Sequence, residues 1–146
     1  MIIALASDHA GYDLKTKVNS YLEQIGIRTE DFGCFKSDAV DYPDYGILAA
    51  RAVAKGKTDR GILICGTGIG MSIVANKVRG IRAALCTSLE VAEQSRRHAN
   101  SNVLVLGGKI IDHKMALKIV DVWLKTPFEG ERHLRRINKI HQLTGC

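Results

Sequence analysis

The chain has 146 residues, 46% hydrophobic and 25% charged, with a formal net charge of +6. That fits one domain, 1–146, with a sizeable core and excludes a disordered chain. No apolar run approaches a membrane span, the start lacks the basic region of a signal peptide, and four scattered cysteines suggest reduced thiols in the cytoplasm.

In chain order, Ile2–Ala6 reads as a buried strand. Leu14, Val18, Tyr21, Leu22 and Ile25 then recur at helical spacing, with Gly26 as a C-cap. Ile27–Phe32 is a second strand candidate. Residues 33–43 form a loop closed by Asp41-Tyr42-Pro43, and Tyr45–Lys55 read as helix. Ile62–Cys65, Arg82–Cys86 and Asn102–Leu106 are the remaining strands, with helices at Ile69–Lys77, Leu89–His98 and Lys114–Leu124. Trp123, with Ile119 and Val120, is assigned to packing. From about residue 128 to 146 the chain is basic, polar and helical, with few apolar residues to hold it down, so it is expected to reach a neighbouring subunit. The alternation predicts an α/β fold, a parallel, doubly wound sheet covered by helices. Ligands in such sheets sit outside the C-terminal strand ends, so Ser7-Asp8-His9 and Cys65-Gly66-Thr67 are expected to face one crevice.

The richest segment is Gly61-Ile-Leu-Ile-Cys65-Gly66-Thr67-Gly68-Ile69-Gly70-Met71-Ser72. A buried strand ends on a cysteine, three alternate glycines follow, and a helix starts at once. Glycines let the backbone turn tightly and present N–H groups, and the helix directs its positive end to the same place. Such a turn holds an anion, with the Cys65 sulfur at its edge. Three familiar loops fail on particular residues. A phosphate loop needs lysine where Thr67 stands. The dinucleotide fingerprint needs glycine where Met71 stands, and a cysteine phosphatase needs an arginine that residues 69–72 do not supply.

Other candidates have two readings each. Cys65 by itself would more often be a small buried hydrophobe, a balance the glycine turn reverses. Asp8 could cap a helix or bind hydroxyls, and His9 could bind phosphate or a sugar hydroxyl. His98, near a helix end, is a dipole partner or an acid/base group. Arg132 and Arg136 share a helical face, either solvated or clamping a phosphate, and Lys109 is a further loop cation. No metal-binding spacing appears, so no metal or other cofactor is expected. Basic–aromatic interleaving is also absent, so the positive charge is assigned to a phosphorylated small molecule rather than to nucleic acid.

The residues resemble the type B ribose-5-phosphate isomerases, in the sugar-phosphate isomerase group that also holds galactose-6-phosphate isomerase subunits. The likeness rests on Ser7-Asp8-His9-Ala10-Gly11, Asp41-Tyr42-Pro43, Cys65-Gly66-Thr67-Gly68, Ala75-Asn76-Lys77, Gly80-Ile81-Arg82-Ala83, Asn102-Val103-Leu104 and Gly130-Glu131-Arg132-His133. It implies a metal-free aldose–ketose isomerase with a Rossmann-like αβα fold, a five-stranded parallel sheet and sites at a homodimer interface, with tetramers left open. By resemblance, Cys65 is the base and the amides from Gly66 through Gly68 to Gly70 hold an enediolate oxygen. His98 opens the sugar ring with Thr67 nearby, and Asp8 and Tyr42 lie by the sugar. His9, Arg132 and Arg136 take the phosphate, the arginines coming from the other subunit. Two positions depart from the family pattern. Ala99 stands where an asparagine usually follows the histidine, with Asn100 one place later as the substitute, and Lys109 replaces an arginine. Ala99 leaves two alternatives open: a hexose 6-phosphate substrate (allose or galactose 6-phosphate), and a non-catalytic sugar-phosphate-binding subunit.

Overall fold

Alternating side chains of the central strands build two different cores. The computed structural model describes all residues 1–146. Its elements are β1 (Ile2–Ser7), α1 (Tyr12–Gln24), β2 (Arg28–Asp31), α2 (Tyr42–Ala54), β3 (Arg60–Cys65), α3 (Ile69–Asn76), β4 (Ala83–Leu85), α4 (Leu89–Arg97), β5 (Val103–Gly107), α5 (His113–Lys125) and α6 (Glu131–Thr144), with a short 3-10 turn at His9–Gly11. All strand pairs are parallel, in the order β2-β1-β3-β5-β4. Ile3, Leu5, Ile62, Ile64, Leu104 and Leu106 pack with α1, α4 and α5, whose Trp123 is fully buried. The alternate residues Ala4, Ala6, Leu63, Cys65, Val103 and Val105 pack with α2 and α3. This period of two puts the Cys65 side chain on the α2/α3 face.

The expected α/β architecture is present, with differences at element ends. α2 starts at Tyr42 rather than Tyr45. Pro43 falls in its first turn, where a missing N–H breaks no helical bond. β4 is shorter than expected and β5 begins one residue later. Just ahead of them, Asn102 takes the Arg82 N–H on Oδ1 at 2.8 Å and donates from Nδ2 to Gly80 O at 2.8 Å. Side-chain caps fix two further helix starts: Ser88 accepts from Val91 N–H and Asp112 from Met115 N–H. α6 folds onto its own chain through His133 and Ile137, leaving Leu134, Ile140 and Leu143 exposed. No helix is long and apolar enough to cross a membrane.

An ion pair between a buried lysine and a partly exposed aspartate pins the segment after β2. Lys15 of α1, 1% exposed, donates from Nζ to Asp31 Oδ1 and Oδ2 at 2.6 and 2.7 Å and to Cys34 O at 2.6 Å. Removing one partner of such a pair leaves a buried charge uncompensated. We therefore expect Asp31→Asn to cost about 1–2 kcal/mol, below the fully buried case because Asp31 is partly exposed, read as a lower urea midpoint with an unchanged slope.

Candidate active site

The strand order sets where the site forms. The chain moves from β1 outward to β2, then returns past β1 to β3, so adjacent strands β1 and β3 send their connections to opposite faces of the sheet. A crevice opens at such a switch point, beyond the C-terminal strand ends. Asp8 follows β1 there and Cys65 ends β3. Backbone bonds tie the surrounding loops together: Asp8 N–H donates to Ile64 O at 3.3 Å, Gly108 N–H to Cys65 O at 2.8 Å and Lys109 N–H to Gly66 O at 2.9 Å.

Cys65 is 5% exposed, and its Sγ accepts a hydrogen bond from Gly68 N–H at 3.1 Å. Gly68 takes φ +82°, and a side chain there would run into Leu85 and the Leu106 backbone. The amides of Gly66, Thr67 and Gly70 donate to no protein acceptor. Gly70 is the second residue of α3, where first-turn N–H groups have no helical partner, so free donors and the positive helix end converge. The Tyr42 ring lies over the turn; a Cβ at Gly70 would come within 2.5 Å of it. Thr67 is exposed and its Oγ1 accepts from Ile69 N–H at 3.3 Å. Asp8 is buried and does cap the following turn, Oδ1 accepting from Gly11 N–H at 2.9 Å. Exposed His9 accepts from Val40 N–H on Nδ1 at 3.2 Å. The other strand-end thiol, Cys86, has no such turn, and burial pushes it up to about 11.

The remaining candidates gather elsewhere. β5 pairs with β3 so that Val103 lies opposite Gly61 and Gly107 opposite Cys65. His98 precedes Val103, so it lies at the N-terminal edge of the sheet, at least four strand residues or roughly 13 Å from the thiol level. The structure thus separates His98 from Thr67 within one chain, where the resemblance had put them together. α4 runs back against the strands, so a residue at its C-terminal end reaches the opposite edge from a strand's C-terminus.

At that edge, Arg82 donates to Ala99 O and Asn100 O, and Arg96 to Asn100 Oδ1 at 2.9 Å. Asn100 adopts φ +46° and its side-chain oxygen is thereby engaged inward, leaving Nδ2 without an acceptor. Arg96 is buried over Trp123; desolvation, with Arg60 and Arg82 nearby, lowers it to about 10. A cleft of about 500 Å³ opens between this edge and α6, lined among others by His98, Ala99, His133 and Arg136. Arg132 is exposed on α6, one residue before His133.

Two residues here were missed by sequence reasoning. The His133 ring stacks on His98 with centroids 4.2 Å apart and planes 8° from parallel. Glu129 brings Oε2 to 3.4 Å from His133 Nε2 and 3.7 Å from His98 Nε2, while Arg97 donates to its Oε1 at 2.6 Å. That Arg97 contact holds the Glu129 carboxyl below its ordinary range. Burial and the neighbouring His98 hold His133 below the usual histidine value. Only the Glu129–His133 spacing of four was visible in the sequence, since His98 comes from a distant element.

A family model described as Ribose/Galactose Isomerase matches residues 3–140. The chain belongs to the ribose/galactose isomerase family. Ribose-5-phosphate isomerase B of Escherichia coli is 44% identical over 138 residues, covering 94% of this chain and 93% of that protein. Among solved structures, Clostridium thermocellum ribose-5-phosphate isomerase B superposes with a TM-score of 0.98 at 48% identity, covering 99% of this chain and 98% of that one. The Mycoplasma genitalium ribose-5-phosphate isomerase B, solved with bound ribulose-5-phosphate, gives 0.95 at 44% identity, with 99% and 96% covered.

For this member of the ribose/galactose isomerase family, Gly68 is the residue whose backbone the thiol turn depends on. Gly68→Ala should cost about 1–3 kcal/mol of stability through left-handed strain and the clash with Leu85. Thermal unfolding and alkylation of Cys65 would show both a lower Tm and an altered thiol reactivity.

Proposed function

We propose that the chain interconverts ribose 5-phosphate and ribulose 5-phosphate through an enediolate, with Cys65 as the base. The observation that carries this is the pairing of a sulfur held by the Gly68 amide with neighbouring amides that have no acceptor. Proton removal beside a carbonyl needs a base and donors for the charge that develops, and the turn supplies both. In the open-chain aldose the Cys65 thiolate takes the C2 proton. The electron pair becomes the C1–C2 double bond, and charge collects on O1 before the amides of Gly66, Thr67 and Gly70. A proton passes from O2 to O1, and Cys65 returns its own to C1. The names and the ribulose-5-phosphate complex among the relatives support the same sugar.

Ring opening requires a second acid/base group, which in this reading is His98. Since His98 lies at the far sheet edge of its own chain, a symmetric pair of chains would bring one copy's N-terminal edge to the other's thiol turn. Exposed Ile69 and Ile73 on α3 (54% and 55%), beside the turn, give such a pair an apolar surface. Arg132 and Arg136 from the partner would then hold the phosphate with His9 and Lys109, while Asp8, Tyr42 and the free Nδ2 of Asn100 meet sugar oxygens. A hexose 6-phosphate is the second reading. It is favoured by Ala99, whose methyl group leaves the cleft wall next to His98 open.

Purified protein should form ribulose 5-phosphate from ribose 5-phosphate in the presence of EDTA. Cys65→Ala should lower kcat by at least roughly 100-fold with the fold intact, the usual worth of a general base. An active Cys65→Ala enzyme would remove the thiol from the mechanism, and a higher kcat/KM for a hexose 6-phosphate would change the substrate. Saturable binding of the sugar phosphate without turnover would instead support a binding subunit.

A further inference from the structure

The cluster at the far edge has ligand chemistry of its own. His98 Nε2, His133 Nε2 and Glu129 Oε2 offer three donor atoms in one place, and the ligand atoms of these residues lie within 4.8 Å of one another. His133 is 5% exposed, and its Nε2 is buried with no hydrogen-bond partner, although it points at Glu129. A buried nitrogen left without a hydrogen bond is destabilising, so its retention calls for a partner. Glu129 is in turn held from behind by Arg97 through Oε1, which leaves Oε2 directed at the two imidazoles. A ligating carboxylate fixed through its second oxygen is the usual outer support of a metal site.

We propose that His98, Glu129 and His133 bind a divalent transition metal of the zinc class, and that occupancy withdraws the His98 imidazole and inhibits turnover. Two imidazoles and one carboxylate are a common zinc donor set, with water in the fourth position. The open side faces the 500 Å³ cleft, which gives that water room. Zinc–nitrogen bonds lie in the plane of each imidazole, so the two rings, now 8° from parallel, must unstack and turn toward each other for both to ligate. His98 can make that movement, since its side chain is 40% exposed at the end of α4. The inhibitory consequence rests on the acid/base role proposed for His98; the binding itself does not.

The test uses the full chain stripped with chelator and titrated calorimetrically with Zn²⁺ in the absence of sugar, followed by Co²⁺ as a spectroscopic probe. One equivalent per chain is expected, with a cobalt spectrum free of a sulfur charge-transfer band. His133→Ala and Glu129→Gln should each weaken binding by more than roughly 100-fold, beyond the cost of disturbing an outer partner. If His133→Ala proves unstable, Glu129→Gln, altered on a surface loop, decides. No saturable binding, unchanged affinity in Glu129→Gln, or a cobalt–thiolate band would overturn the site. In turnover assays Zn²⁺ should slow the wild-type protein, EDTA should restore it, and Glu129→Gln should resist the metal; equal inhibition of that variant would overturn the regulatory part. Because binding is read without substrate, a protein inactive on pentose phosphates would contradict the isomerase reading without deciding the metal site.

Discussion

The reversal of strand order between β1 and β3 is the constraint from which the thiol site follows. Connections leaving these neighbours for opposite faces cannot fill the space between their C-terminal ends. The loop after β1, the glycine turn after β3 and the Gly107–Lys109 segment after β5 close around that space and are bonded to one another. Everything the turn does chemically depends on backbone rather than side chains. One amide holds the sulfur, several others stay free, and α3 begins at the same spot, so its dipole adds to theirs. The energetic logic is preorganisation: donors already fixed by the sheet need not reorient as charge develops.

The second constraint is the direction of the helices. In a parallel sheet each helix carries the chain back to the N-terminal edge, so α4 delivers His98 away from the thiol. Buried Arg96, with Arg82, clamps the carbonyls of residues 99–101 there, and Trp123 lies beneath. In the proposed reaction a subunit would therefore display half of an isomerase site at each edge. Two copies related by a twofold axis would supply both halves twice, which gives the exposed apolar residues of α3 and α6 a use.

Much of this was legible in the sequence because it depended on local pattern. Five apolar runs separated by helical spacing predicted the sheet, and the residues following β1 and β3 lie side by side beyond the strand ends. The α2 start was misjudged because Asp41-Tyr42-Pro43 reads equally as a loop and as a first helical turn. His98 illustrates a different failure. It was read as a helix-end group with Thr67 nearby, and because it precedes β5 the two lie at opposite sheet edges within one chain. The capping reading of Asp8 and the sugar reading are compatible, since Oδ1 serves the turn. Asn100 was expected to substitute for the asparagine usually found one place earlier, and the structure commits its side-chain oxygen to Arg96. Glu129 and His133 were invisible as a set, because their third member arrives from more than thirty residues away in sequence.

In the proposed pair a working site joins the thiol turn of one chain to the far-edge cluster of another. The most direct measurement co-expresses Cys65→Ala with a His98→Ala/Arg136→Ala chain under different tags and assays the purified mixed pair. One of its two sites would then carry every lesion and the other none. About half of wild-type activity is expected, because each site of a twofold pair draws on both chains. A mixed pair no more active than its two parents would contradict it.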